Sequence, residues 1–231
     1  SDDCFHTPNP VAVNALRQVF NPLYVQHLVD GTLDAKAMRR IGFPWSAQLI
    51  QRSLTAVGGT ILTAELALKQ GKALNLTGGY HHAFANYGSG FCLFNDLYLA
   101  ALAMLQNPSI DKVLIFDCDV HQGDGTAKLA ENNPAIYTVS IHGEKNFPIR
   151  KSPSDLDIDL PDGTQDETYL QVLGDALVQV LSHGAFDLAI YLAGADPFEG
   201  DRLGRLKLTK NGLAARDALV LSELMTRKIP V

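Results

Sequence analysis

The chain has 231 residues and a net charge of −6, with 46% hydrophobic, 8% aromatic and 19% charged residues. This is the composition of a globular domain long enough to bury a sizeable core, and it excludes a disordered or low-complexity chain. No basic stripe exceeds Lys36, Arg39 and Arg40, so nucleic acid is not expected as a direct partner; no apolar run reaches the length of a membrane span, and the first residues do not read as a signal peptide.

In chain order, Val13, Leu16, Val19 and Phe20 repeat at helical spacing and predict a helix over Val11 to Leu28. Ser46 is a plausible N-cap for a second helix running to Lys69, with Gly58-Gly59 marking a break or a close backbone approach. Ala73-Leu74-Asn75-Leu76 reads as a short strand ending in Gly78-Gly79. Val113 to Phe116 is an apolar run typical of a buried parallel strand. Ile136 to Ile141 and Leu188 to Leu192 are two further strands. Between them, apolar positions from Tyr169 to Leu181 form an amphipathic helix closed by Gly184, and Leu213 to Met225 predict a final helix. Alternating strands and helices imply a parallel sheet covered on both faces, a single three-layer α/β/α domain. Cys4, Cys92 and Cys118 form no CxxC and are expected to be reduced thiols in a cytoplasmic protein, or a nuclear one if the source is eukaryotic.

Ligands of such sheets bind beyond the carboxyl ends of the strands. The Ala73 run is followed by Gly-Gly-Tyr-His81-His82. The Val113 run is followed by Asp117-Cys118-Asp119-Val120-His121-Gln122-Gly123-Asp124, and the Leu188 run by Ala-Gly-Ala-Asp196. In a strand Asp119 and His121 share a face, so both can reach one ion. A carboxylate and an imidazole suit Zn²⁺, and Asp196 is the obvious third ligand, leaving a position for water. An isolated Asp-x-His is usually no metal site, and a strand-terminal aspartate is often a helix cap. Three such clusters at strand ends are much harder to attribute to chance. Histidine is the side chain best placed to move protons near neutral pH. Each of His81 and His82 needs a carboxylate behind it, and Asp117 and Asp124 are available.

With these residues in view, the chain resembles the histone deacetylase family in the arginase–deacetylase fold. The segments that carry the resemblance are GGYHHAF, GSGFCLFND, IFDCDVHQGDGT, YTVSIHGEKNFP and GADPFEGDRLGRLKLT; HGEKNFP and DRLGRL are most like the class IV group and its bacterial relatives. The resemblance implies that Asp119, His121 and Asp196 bind Zn²⁺, with Fe²⁺ as the alternative. His82 is implied as general base toward the attacking water and then acid toward the leaving amine. His81 is implied to hold the water and stabilise charge. Asp117 would orient His81, and Asp124 would orient His82. Phe91 and Phe147, with Leu203 nearby, would wall a tunnel for an acyl-lysine, and the Gly90 carbonyl would accept the substrate amide N–H. Taken alone, both phenylalanines read as ordinary core residues. A potassium ion is implied at Asp117 and Ser140 with the carbonyls of Asp119, His121 and Ile141. The implied activity is hydrolysis of an N-acyl-lysine amide on a protein, or of a small acylated amine.

The family's oxyanion tyrosine has no counterpart among the seven tyrosines; Tyr80 and Tyr191 lie near the motifs without matching it. Residues 1–231 are therefore expected to be a deacetylase domain incomplete at both ends, lacking a first strand and the glycine-rich tyrosine segment. The early rim segment Ile41 to Ser46 carries no aspartate to grip a peptide backbone. Three other readings compete. One is a deacetylase of acetylpolyamine or another small amide. Another is an arginase-like enzyme with two manganese ions, disfavoured because Pro197-Phe198 stands where further aspartates would be needed. The last is a metal- or acyl-lysine-binding module without turnover.

Overall fold

The computed structural model describes residues 4–231. The N-terminal third is helical: α1 (Val13–Leu16), α2 (Pro22–Asp30), α3 (Ala35–Ile41) and the long α4 (Ala47–Gln70). The single helix expected over Val11 to Leu28 is two. The residues between them end in Asn21-Pro22, where the Asn21 side chain accepts the N–H groups of Leu23 and Tyr24 and proline takes the first helical position. The helix expected from Ser46 is present, and the Ser46 hydroxyl accepts from Leu49 N–H. Gly58 and Gly59 do not interrupt it. A Cβ at Gly58 would collide with the backbone carbonyl of Asn9, so the close approach is real and the break is not.

The strand expected at Ala73–Leu76 is absent. Those residues belong to no ladder: Ala73 N–H donates to Val231 O, and Leu74 and Leu76 point into solvent at 80% and 86% exposure. An apolar run predicts burial only where a neighbour covers it, and here nothing among the described residues does.

The rest of the chain alternates: α5 (Asp96–Met104), β1 (Val113–Asp117), α6 (Asp124–Ala130), β2 (Ile136–Gly143), β3 (Leu156–Leu160), α7 (Asp166–Ser182), β4 (Leu188–Leu192) and α8 (Lys210–Thr226). Among the described residues the sheet has four strands in the order β3-β2-β1-β4, all parallel. The register pairs Asp117 with Ser140 and with Leu192, so β1 and β4 end level while β2 runs three residues further, to Gly143 beside Leu160 of β3.

Strand periodicity builds two cores. Leu114 and Phe116 point to one face, where they meet Tyr169, Leu173 and Leu177 of α7 and Val220 and Leu224 of α8. Val113 and Ile115 point to the other, against Ala64 and Ala67 of α4 and Leu97 of α5. Full burial of each large aliphatic or aromatic side chain contributes roughly 1.5–3 kcal/mol, and together they fix the three layers. A third cluster joins Leu16, Val25 and Leu28 to Leu54 of α4 and Phe94 and holds the helical N-terminal part together.

Candidate metal and acid–base site

Asp117 closes β1, and the chain then leaves the ladder. Asp119 and His121 therefore lie in the turn beyond the strand rather than on it, and the alternation of a strand is not what brings them together. The turn does so itself. Asp117 Oδ1 accepts Asp119 N–H at 2.9 Å, and Asp119 Oδ1 accepts His121 N–H at 2.8 Å. Asp196, four residues past β4, binds back across the gap: its Oδ1 accepts Val120 N–H at 2.9 Å.

The result is convergence. His121 Nδ1 lies 2.9 Å from Asp119 Oδ1 and 3.0 Å from Asp196 Oδ2. One donor atom from each of Asp119, His121 and Asp196 falls within 4.8 Å of the other two, and no other trio among the described residues does so. All three side chains are partly buried, with solvent on one side. Burial alone would strip the proton from His121, but hydrogen bonds and charge from Asp119 and Asp196 outweigh it and raise its pKa to about 10 in the metal-free chain. Two carboxylates and an imidazole aimed at one point fit a divalent ion such as Zn²⁺ or Fe²⁺, with coordination positions left open.

The histidine pair stands beside this trio. His81 Nδ1 meets Asp117 Oδ2 and His82 Nδ1 meets Asp124 Oδ1, each at 2.7 Å. Their Nε2 atoms face each other at 3.1 Å, and both rings are almost fully buried. Asp124 stands at the first position of α6. The two environments push the imidazoles apart. For His81, burial disfavours charge, but the Asp117 and Asp119 carboxylates outweigh it and raise the pKa to about 9. For His82, burial and then the neighbouring His81 charge lower it to about 4. The two shifts have opposite directions, so the Asp117-backed His81 is the imidazole that better holds a proton and His82 the one that better gives it up.

The loop bearing the pair is tied down by residues that carry no expected role of their own. The fully buried Asp96 accepts Tyr80 N–H at 2.7 Å and Gly79 N–H at 3.0 Å, and takes the Thr60 hydroxyl at 2.5 Å. Gly78 and Gly79 adopt left-handed backbone to allow this. Asn95 caps α5 through Tyr98 N–H and donates to Thr126 Oγ1 at 2.9 Å. An Asn-Asp pair ahead of an apolar helix was the available signal.

The three residues expected to wall a tunnel have a different character. Phe91, Phe147 and Leu203 are 51%, 43% and 66% exposed, so none is a core residue. Phe147 sets its ring edge-on to His82, with centroids 4.8 Å apart. Gly90 and Phe91 both have positive φ, and a Cβ at Gly90 would come within 2.6 Å of the His82 ring. Phe91 N–H donates to Ile41 O at 2.7 Å, and its ring packs on Phe43 at 5.2 Å. Asn146 links the Phe147 and Leu203 segments by donating to Leu203 O at 2.9 Å. Behind the site, Ser140 Oγ sits 2.9 Å from His142 Nδ1, with Ile141 between them on β2. The hydroxyls of Tyr80 and Tyr191 turn elsewhere, toward Thr77 and Asp217.

A profile of the histone deacetylase domain matches residues 1–230. An uncharacterised protein of Picosynechococcus is 52% identical over 216 residues, covering 94% of this chain and 72% of that protein. Histone deacetylase 2 of Arabidopsis thaliana is 34% identical over 178 residues, 76% of this chain and 46% of the plant protein. Histone deacetylase 8 of Xenopus tropicalis is 30% identical over 228 residues, 89% of this chain and 61% of the frog protein. The chain thus spans about half to two thirds of the length of these two deacetylases. The crystal structure of an HDAC homolog from Aquifex aeolicus superposes with a TM-score of 0.81 over 94% of this chain and 64% of that one, at 22% identity. The same figures hold for an HDAC homolog complexed with SAHA. At that identity the likeness speaks for the fold, which is the three-layer architecture the sequence implies.

Proposed function

The chain belongs to the histone deacetylase family, and from that premise we propose that it serves metal-dependent hydrolysis of an acylated amine, with N-acyl-lysine as the substrate. The observation that carries this reading is the convergence of the Asp119–His121–Asp196 trio beside two histidines, each backed by a carboxylate at 2.7 Å.

Asp119, His121 Nδ1 and Asp196 Oδ2 would hold the ion, Zn²⁺ by donor type, which when bound supplies Lewis-acid polarisation of the amide carbonyl and acidifies the attacking water. The chain's own residues account for the protons. His82, low in pKa and oriented by Asp124, takes the proton from water and returns it to the departing amine nitrogen. The C–N bond breaks, leaving a carboxylic acid and a free amine. His81, oriented by Asp117 at 2.7 Å, directs its Nε2 toward the reacting side and steadies the water. Phe91 and Phe147 flank the approach as apolar walls suited to an aliphatic stem, Leu203 extends that wall, and Gly90 leaves room for the His82 ring where any side chain would displace it. The Gly90 carbonyl is proposed to accept the substrate N–H. A potassium ion is proposed at Asp117 and Ser140, adjacent in the ladder, with carbonyls of Asp119, His121 and Ile141.

The test is hydrolysis of an acetyl-lysine peptide by the full-length gene product, stripped with chelator and reloaded with one equivalent of Zn²⁺. Activity that returns with the metal and is lost in His82→Ala and Asp196→Ala is expected. Stoichiometric metal uptake without peptide turnover, but with turnover of acetylpolyamine, would shift the substrate class to small amides. No metal uptake would remove the reading.

A further inference from the structure

Helix α8 buries Gly212, Arg216, Val220 and Leu224, one residue every four positions along a single stripe. Arg216 is the anomaly. A guanidinium stands where the periodicity calls for an apolar side chain, and only 1% of it is exposed. Burying that charge is expensive unless its donors are used, and their partners are informative. Nε and Nη2 face Asp217 Oδ1, each at 2.9 Å. The same carboxylate oxygen accepts the Tyr191 hydroxyl from β4 at 2.6 Å. Nη1 donates to two backbone carbonyls on different strands' extensions, Gly194 O at 2.7 Å and Cys118 O at 3.1 Å.

Those carbonyls mark where β1 and β4 part. Their ladder ends with Asp117 opposite Leu192, and Cys118 N–H makes a last bond to Leu192 O. Beyond it neither Cys118 O nor Gly194 O has a ladder partner, and Arg216 Nη1 takes both. Asp119 is the next residue after Cys118, and Asp196 is two after Gly194. The segments run so close that a Cβ on Gly194 would lie 2.7 Å from Asp119 Cα.

We infer that Arg216 is a positioning residue for the metal centre: its guanidinium replaces the missing ladder rung between the two strand extensions and sets the spacing of the Asp119 and Asp196 carboxylates. This rests on the metal reading above. It touches neither substrate nor metal, and acts through Cys118 and Gly194. Asp217, half open to solvent, holds the guanidinium plane in place and is itself kept by Tyr191.

The measurement is Co²⁺ affinity of the chelator-stripped chain by competition titration, with the visible absorption of the Co²⁺ form and the melting curve of the metal-free form. Arg216→Met removes the charge and leaves Asp217 able to solvate. It is expected to keep a cooperative metal-free melt, to bind Co²⁺ about 10- to 100-fold more weakly, and to alter the Co²⁺ spectrum. Arg216→Lys, which keeps the charge but reaches only one carbonyl, is expected to fall between. A purely structural arginine would lower the melting temperature and leave affinity and spectrum alone; wild-type values of both in either folded variant overturn the inference. If neither arginine variant folds, Asp217→Asn decides: weaker Co²⁺ binding supports the clamp, unchanged binding refutes it. Absence of Co²⁺ uptake by the unaltered chain would instead sink the metal reading, and the clamp with it.

Discussion

The floor of the site and its mouth are built by opposite means. On the floor, His81, His82, Asp117 and Asp124 are buried, and each has a polar partner near 2.7 Å. At the proposed mouth, Phe91, Phe147 and Leu203 are exposed, and their segments are held by the left-handed Gly90-Phe91 turn and by the Asn146 amide that donates to Leu203 O. Buried polar groups tolerate no loss of a partner, because each orphaned donor or acceptor costs about 1–3 kcal/mol. Exposed apolar walls lose only the area they share with a ligand. The floor, an acid–base half and a metal-holding half, should therefore fix the reaction, and the mouth should behave as separable parts that tune affinity.

The largest effect expected is at the metal trio. Asp196→Ala should abolish stoichiometric Zn²⁺ binding and cut kcat/KM by about 10³-fold or more, read by metal analysis beside turnover. His82→Ala should lower kcat by about 10²–10⁴-fold while metal content stays at one equivalent; loss of metal in this variant would mean that the two halves of the floor are not distinct. Asp124→Asn leaves His82 in place but removes the carboxylate that fixes its tautomer, and a smaller loss of about 10- to 100-fold in kcat is expected. At the mouth, Leu203→Ala should raise KM by only about two- to fivefold, the worth of about 0.4–1 kcal/mol of shared apolar area, with kcat and metal content unchanged. A kcat loss at Leu203 matching that at Asp124 would erase the distinction between floor and mouth.

Legibility in the sequence divides along the same line. The convergent groups of the floor follow apolar runs that are legible as strands: Asp117 ends β1, and Asp119, His121 and Asp196 lie just beyond the ends of β1 and β4. The local reason was partly misplaced. Asp119 and His121 converge through a turn in which carboxylates accept backbone N–H groups, not through strand alternation. The mouth was less legible, since Phe91 and Phe147 read alone as core. Their exposure follows from positive φ at Gly90 and Phe91 and from contacts with distant segments, which spacing does not encode. Elsewhere, a helix was read through Asn21-Pro22, whose cap chemistry was visible. Leu156-Asp-Ile-Asp-Leu160 alternates cleanly and forms β3, yet the charges at every second position hid it. Asp96 and Arg216 are not legible, because a buried charge looks, in sequence, like any exposed one.

The most direct test of the central claim is a crystal structure of the zinc-loaded protein with anomalous data at the zinc edge. The account predicts one peak, about 2.0–2.2 Å from His121 nitrogen and from one oxygen each of Asp119 and Asp196, with His82 close by but not bonded to it. Two peaks bridged by carboxylates, or a zinc ion ligated by His81 or His82 instead, would contradict it.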